Sequence, residues 1–457
     1  MTCERFAKIS MFDTTLIDSL LIRIFRFRTR GFMQMEPHDG SMPPRPLGDT
    51  HLYIHIPFCE SLCPYCSFHR VQYQAGPARA YFAVLREEIR RYYEAGYVFT
   101  GAYFGGGTPT CDAAELIETI GLVRTLFGVR DISVETNPRD LQPVLLAALR
   151  DAGVTRLSVG VQSFDDRLLA EMERLEKYGG GAEAVERIRA AVPYIATVNV
   201  DLIFNQPHQT VASLLSDLRI FRTLGANQIS LYPLMASRAA RPHLARRMGL
   251  PDRRRLRKFY EVILGELAPD YLPTSAWCFT RAGRGSDEYL VTSEHYVGVG
   301  SGALSYLDGT LYSTSFSLRS YAQNIAAGDT GITACHPLSE TERMRYTLLV
   351  KMFGLGLSRK WAEARHGTVF CRQLWPEIFS LELLGAARRT ADGWRLTPRG
   401  MFWLMLMMSE FFESVNAYRD AMRAQVHEEL EHFAHPDRHA ECAVSAPAPV
   451  SALSLSR

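Results

Sequence analysis

The chain has 457 residues, 47% of them hydrophobic and 22% charged, enough to bury one large core with smaller appended units. Its 51 basic residues against 49 acidic ones leave a net charge of +2, so there is no global field for a polyanion and nucleic acid is excluded as the expected partner. The nine cysteines are odd in number and three crowd into eight residues, a pattern that fits ligation in a reducing, cytoplasmic setting better than a disulfide framework.

The first apolar stretch, from Met11 to Phe27, is broken by Asp13, Asp18, Arg23 and Arg26, and no small-residue cleavage site follows it, so it reads as neither a signal peptide nor a membrane span. Leu16, Leu20, Ile24 and Phe27 recur at helical spacing and predict an amphipathic helix within an extension over 1–47. Its arginines can reach an anionic membrane surface, although packing on its own domain is the plainer expectation.

Over 48–240, β-rich runs at 52–56, 101–104, 132–135, 156–162, 198–204 and 228–232 alternate with helical patterns near 77–95, 113–127, 141–152, 166–191 and 209–224. Six consecutive βα units predict an α/β fold, a partial (β/α)6 TIM-type barrel, with its chemistry where the strands end. Residues 241–336 are Gly-rich and strand-like and are expected to cover the open side of the barrel. Ser339, Glu340, Thr341 and Glu342 open a helix through about Phe353, and 337–433 is expected to be a small, mostly helical domain capping the substrate. Within it, the run from Met401 to Met408 reads as helical core. The stretch 434–457, rich in Ala, Pro and Ser, is expected to be disordered.

Directly after the first run stand Cys59, Cys63 and Cys66, a C-x3-C-x2-C array. Three thiolates in one short loop can hold a [4Fe-4S] cubane and leave one iron open to a small chelating ligand. The amino and carboxylate groups of S-adenosylmethionine (SAM) suit that vacancy, and one electron then cleaves a C–S bond to give a 5'-deoxyadenosyl radical. A zinc site would need a fourth ligand, for which His69 is the nearby option. Gly105, Gly106 and Gly107 follow the second strand, where missing side chains let backbone groups approach a ligand. Glu135 ends the third and can accept hydrogen bonds from a ribose or an amine.

Tyr53-Ile-His-Ile-Pro-Phe-Cys59, Phe104-Gly-Gly-Gly-Thr-Pro-Thr110, Glu135-Thr-Asn-Pro138, Ser158-Val-Gly-Val-Gln-Ser-Phe164 and Asp201-Leu-Ile-Phe204 follow one another in this order. Over about 48–425 the chain thereby resembles the radical SAM superfamily, and within it the oxygen-independent coproporphyrinogen III oxidase-like branch, which includes heme chaperones and class C methyltransferases. The resemblance implies that Tyr53, Tyr65, Phe68, Gly106, Gly107, Thr108 and Glu135 surround cluster-bound SAM, and that Gln162, Arg174 and Asp201 contact a second SAM. It also implies a tetrapyrrole-like small-molecule substrate and a reductase or flavodoxin-type electron donor. No catalytic residue is assigned beyond the cluster.

Two departures matter. The oxidases continue to a further cysteine two residues after the third ligand, where this chain has Phe68. The chaperones carry His-Asn-x-x-Tyr-Trp ahead of Tyr-x-Gly-x-Gly, where this chain reads Ser286-Asp-Glu-Tyr-Leu-Val and then His295-Tyr296. His295 is therefore a candidate heme ligand, against a hydrogen-bonded surface histidine as the plainer expectation. Trp277, Phe279 and Tyr306 are candidates for an apolar wall beside a flat macrocycle, against ordinary core, and Cys278 for a hydrogen-atom donor, against an inert buried thiol. The leading expectation is an oxidase-like enzyme of porphyrin and heme metabolism; the alternatives are a methyltransferase using a second SAM and a heme chaperone.

Overall fold

Alternation along each strand sets the architecture. In the computed structural model, which describes Asp18 and residues 23–25, 31–281 and 293–434, six parallel strands stand side by side in chain order. They are β1 (Thr50–Ile56), β2 (Gly101–Gly106), β3 (Asp131–Thr136), β4 (Arg156–Gln162), β5 (Thr197–Phe204) and β6 (Gln228–Pro233). The main crossover helices are α1 (Ala75–Glu94), α2 (Ala113–Phe127), α3 (Pro143–Ala152), α4 (Gly181–Ala191) and α5 (Val211–Arg222). Leu52, Ile54, Phe104, Val134, Val159, Val200 and Leu231 are buried in one core with Phe82, Leu85, Ile120, Leu149, Ile188 and Leu218 of the helices. Each such side chain contributes about 1.5–3 kcal/mol by leaving water.

The other face of the strands carries Tyr53, Tyr103, Glu135, Ser158, Asn199, Asp201, Gln228 and Ser230, paired across the sheet as Tyr53 with Tyr103, Glu135 with Ser158 and Asp201 with Ser230. A lumen this polar is built to hold something other than itself.

The expected single helix over 166–191 is instead three: Asp166–Glu171, Leu175–Tyr178 and α4. Glu173 at φ +57° and Gly179 at φ +91° interrupt it, because a left-handed residue cannot propagate a right-handed helix. The break turns Arg174 inward, where only 4% of it is exposed.

The 241–336 segment prolongs the sheet at both edges. Cys278–Arg281 pairs antiparallel with β6 and is followed outward by Tyr271–Pro273. His295–Val299 pairs parallel with β1, and Leu304–Leu307, Thr310–Thr314, Ile332–Pro337 and Glu36–Pro37 continue antiparallel beyond it. Beyond β6, α6 (Leu256–Leu267) lies against α5, and α7 (Glu340–Phe353) and α8 (Pro398–Gln425) pack on each other and on Trp277, which Phe353 and Phe412 meet at centroid separations of 4.6 and 5.7 Å. A capping box between Ser339 and Glu342 starts α7, and the Met401 to Met408 run is almost wholly buried. Helices beyond these, with a small sheet of Gly356–Ser358, Gly393–Leu396 and Ala387–Thr390, complete the C-terminal part.

Most of the expected N-terminal helix, the segment from Ser286 to Val291 and residues 435–457 lie outside the described residues. Asp18 is described, and it accepts hydrogen bonds from Arg257 at 2.8 Å and from the Trp403 indole at 2.8 Å, which fastens the extension to its own domain. Among the described residues no helix is long and apolar enough to cross a membrane.

Glu88 of α1 joins this helix to the sheet edge. Fully buried, it accepts from the Tyr321 hydroxyl at 2.6 Å and from the backbone N–H groups of Gly300 and Gly331 at 2.8 Å each. Burial raises its pKa against the pull of these donors. Glu88→Ala strands all three donors, and urea unfolding is expected to show a loss of about 3 kcal/mol or more.

Candidate active site

The cluster loop leaves β1 at Ile56 and returns at Val71, whose N–H donates to Pro57 O at 2.7 Å, while Tyr73 N–H donates to Cys59 O at 2.9 Å. These two bonds make a small parallel pairing of Phe58–Cys59 with Val71–Gln72 and leave the three cysteines as the bulge between. Cys59 and Cys63 are buried, Cys66 is half-buried, and none is in a disulfide. Donors converge on the loop: Thr108 Oγ1 lies 3.5 Å from Cys59 Sγ, and Arg174 lies 3.4 Å from Cys63 Sγ. Arg70 donates to the carbonyls of Cys63 and Cys66. Lys177 reaches Leu62 O at 3.1 Å and Tyr178 reaches Ser61 O at 3.0 Å.

Donors aimed at sulfur stabilise thiolate, so the loop fits an iron-sulfur cluster. Burial pushes the Cys59 thiol up to about 12, and metal charge is what would ionise it near neutrality. Among the described residues no three His, Cys, Asp or Glu side chains come close enough to clasp a single ion. His69, the fourth ligand a zinc site would want, instead faces Ser301 Oγ at 3.3 Å and stacks on His55 at 5.9 Å.

Beside the loop, Gly106 N–H donates to Glu135 Oε2 at 3.0 Å and the Tyr103 hydroxyl donates to Glu135 Oε1 at 2.9 Å. Gly106 has φ +114°, and a Cβ there would lie 2.5 Å from the His55 ring. His55 Nε2 is 2.9 Å from the His69 carbonyl, which can only accept; Nε2 therefore carries the proton, and Nδ1 accepts from the Tyr53 hydroxyl at 3.0 Å. Thr108 also accepts from Asn137 at 2.9 Å, and Asn137 in turn accepts from Arg174 at 2.9 Å. Arg174 further donates to the Tyr65 hydroxyl at 3.2 Å. Deeper in the lumen Asp201 accepts from Ser158 at 2.8 Å and Asn199 at 2.7 Å. Gln162 ends β4 at φ +74°, where the pairing with β5 slips register. Phe68 lies beneath the Arg419 guanidinium at 4.8 Å.

Burial depresses His51 and His55 to about 4. A histidine held neutral in the fold but free to protonate when unfolded contributes stability above pH 6.5 that is lost as pH falls toward 4, up to about 3 kcal/mol each. Asp217, raised by burial to about 6, runs the other way below that pH. His366, also held at about 4, and His69, held well below its usual value, add to the histidine side, while Glu88 and Asp140, both raised by burial, add to the carboxyl side. The histidines outweigh the carboxyls, so the midpoint of urea unfolding is expected to fall between pH 6.5 and 4.

The site residues named from sequence thus gather at the C-terminal ends of β1 to β5. Other candidates do not gather there. His295 is fully buried rather than on the surface, near Leu47 O and Arg365, and it pairs with Thr50 at the opposite end of β1 from the cysteines. Phe279 pairs with Ile229 and turns to the helical layer, Trp277 packs on Tyr232 and Phe353, and Tyr306 meets Tyr346 at 4.2 Å in a separate cleft, so the three make no common wall. Cys278 is wholly buried. His55 and Asn137 join the site although the sequence motifs that contain them do not single them out, and Arg70, Tyr103 and Arg419 join it with no local signal in the sequence.

A parallel barrel with three free cysteines after its first strand and a glycine run after its second defines the class that pairs an iron-sulfur cluster with SAM. Residues 53–218 match the Radical SAM superfamily. The heme chaperone HemW of Lactococcus lactis is 32% identical over 270 residues, covering 57% of this chain and 70% of that protein. An oxygen-independent coproporphyrinogen III oxidase of Bradyrhizobium diazoefficiens is 29% identical over 331 residues, covering 66% and 72%. Coproporphyrinogen III oxidase (HemN) from Escherichia coli superposes with a TM-score of 0.66 at 21% identity, over 79% of this chain and 90% of that one, which establishes the shared fold. The chain belongs to the HemN-like family of the radical SAM superfamily, and it binds a [4Fe-4S] cluster and SAM.

Proposed function

We propose that this enzyme acts on a tetrapyrrole, in the manner of the oxygen-independent coproporphyrinogen oxidases. The radical chemistry in this reading is carried by the convergence of Arg174 and Thr108 on the sulfurs of Cys63 and Cys59, next to the Gly106–Glu135 contact. When bound, the cluster and SAM supply a 5'-deoxyadenosyl radical that removes a hydrogen atom from the substrate.

In this reading Cys59, Cys63 and Cys66 ligate the cluster, and Arg174 and Thr108 steady two of their sulfurs. Glu135, oriented by Tyr103 and Gly106, receives a ribose or amine group of SAM. Tyr53, whose hydroxyl proton is committed to His55, presents its oxygen as an acceptor. Tyr65, Phe68, Gly107 and Thr108 wall the same space, and Gln162 and Asp201 face the lumen, where a substrate or a second SAM would sit. The relatives named for coproporphyrinogen and heme support the substrate class. An external reductase or flavodoxin-type protein supplies the electron.

The test is anaerobic: reconstitute the cluster, reduce it, and quantify 5'-deoxyadenosine and S-adenosylhomocysteine with and without coproporphyrinogen III. Deoxyadenosine that rises with the porphyrinogen supports the oxidase reading, and stoichiometric S-adenosylhomocysteine would make the enzyme a methyltransferase. Phe68, in the position of the oxidases' further cysteine, favours a second reading as a heme chaperone. Tight hemin binding with no substrate-dependent SAM cleavage would establish it.

A further inference from the structure

Arg419 and Arg423 of α8 and Arg70 of the cluster loop lie around Phe68 and the buried His69. Arg419 and Arg423 are one turn apart and so share a helix face. Arg419 is 9% exposed, stacks on Phe68 and donates to Asn416 Oδ1 at 3.1 Å. Arg70, 7% exposed, spends two bonds on loop carbonyls and leaves its buried Nε without a partner, as does Arg423. All three charges bear on the buried His69, whose pKa is held down by burial first and then by His55, Arg423, Arg419 and Arg70. The charge of Arg419 also reaches Tyr53, His55 and Tyr296, so this arginine borders the lumen as well as the cluster loop.

Of the acidic groups nearby, Asp420 offsets part of the Arg423 charge, and each is also bonded to other groups. Asp420 accepts from Ser237 at 3.2 Å and Ala239 N–H at 2.9 Å, and Glu413 takes Arg253 at 3.1 Å. Among the described residues no ion pair involves Arg70 or Arg423. A [4Fe-4S]2+ core with three thiolates brings a net charge of only about −1 against three guanidiniums. Clustered, desolvated cations are costly unless an anion joins them.

We propose that Arg419, Arg423 and Arg70 form a receptor for the carboxylate groups of the substrate. The substrate is then a carboxylated macrocycle, seated with at least one acid side chain against this rim and its ring facing the lumen. Planar, five-donor guanidiniums suit carboxylates, and their placement on α8 makes the C-terminal part the element that reads the substrate. The inference rests on the tetrapyrrole reading above and deepens it.

The experiment titrates the reconstituted full-length protein with coproporphyrin III and with its tetramethyl ester, delivered in the same dilute detergent, following protein fluorescence quenching. SAM binding is measured separately by equilibrium dialysis, and iron content reports the cluster. Wild type should bind the free acid at least tenfold more tightly than the ester. Arg423→Gln and Arg419→Gln should erase that preference by weakening the acid about tenfold or more, and Arg423→Lys should restore part of it, with SAM affinity and iron unchanged.

Equal binding of acid and ester by the wild type, or unchanged acid affinity in both Gln variants, overturns the receptor while leaving the tetrapyrrole reading standing. A loss of SAM affinity in the variants overturns it as well, because the arginines would then hold the carboxylate of SAM. If neither porphyrin binds the wild type, both the receptor and the tetrapyrrole reading fall.

Discussion

Cys63→Ala protein is expected to fold, to lose its cluster and to form no 5'-deoxyadenosine, a fall of more than about a thousandfold in SAM cleavage. The sulfur sits in a buried group with Tyr65, Met172, Tyr178 and Leu234, so trimming it to a methyl removes little packing and costs about 1 kcal/mol. The chemical loss is total, because two thiolates cannot hold three corners of a cubane. Arg174 would then face a gap where Cys63 Sγ stood 3.4 Å away, yet it keeps Asn137 and Tyr65. Iron and sulfide per chain, with circular dichroism for the fold, check the result. Cys111 is the informative control: it feels the charge of Cys59, but it stands on the turn Pro109–Asp112 outside the loop. Cys111→Ser should retain iron; if it loses iron as Cys63→Ala does, the three-cysteine assignment is wrong.

What the sequence reveals here follows from what is local. The six parallel strands are legible to within two residues because outward apolar positions repeat with period two, and the cluster loop is legible because its ligands lie within eight residues. Gly106 and Glu135 sit at strand ends whose adjacency the βα order already implies. The inward turn of Arg174 is not legible, since it depends on a left-handed Glu173, a residue type that does not announce that conformation. Nor is the parallel pairing of His295–Val299 with β1, which is a long-range event that no spacing encodes. Arg419 and Arg423 follow a Met-rich run that reads as core, and only the folded chain shows them beside Phe68 and His69, some 350 residues earlier in sequence.

Gly107 carries the largest steric prediction. A Cβ at this position would lie 2.6 Å from Phe58 O and 2.8 Å from Pro57 C and O, which are backbone atoms of the strand that carries Cys59. Its own N–H donates to Ile56 O at 2.7 Å, and the next residue's N–H donates to Phe58 O at 2.7 Å, so neither segment can withdraw without breaking the bonds that fix the loop. Gly107→Ala is therefore expected to displace Cys59, and Gly107→Val to abolish both cluster retention and SAM binding, measured as iron content and equilibrium dialysis. Gly121, exposed within α2 and with nothing within 4 Å of a built Cβ, sets the opposite sign. Gly121→Ala should stabilise the chain by about 0.5–1 kcal/mol in urea unfolding and leave iron untouched, by reducing the freedom of the unfolded state. The contrast separates the cost of adding a methyl from the cost of where it is added. Iron retained in full by Gly107→Val would mean that the glycine run is an ordinary turn and that the second strand does not hold the cluster loop in place.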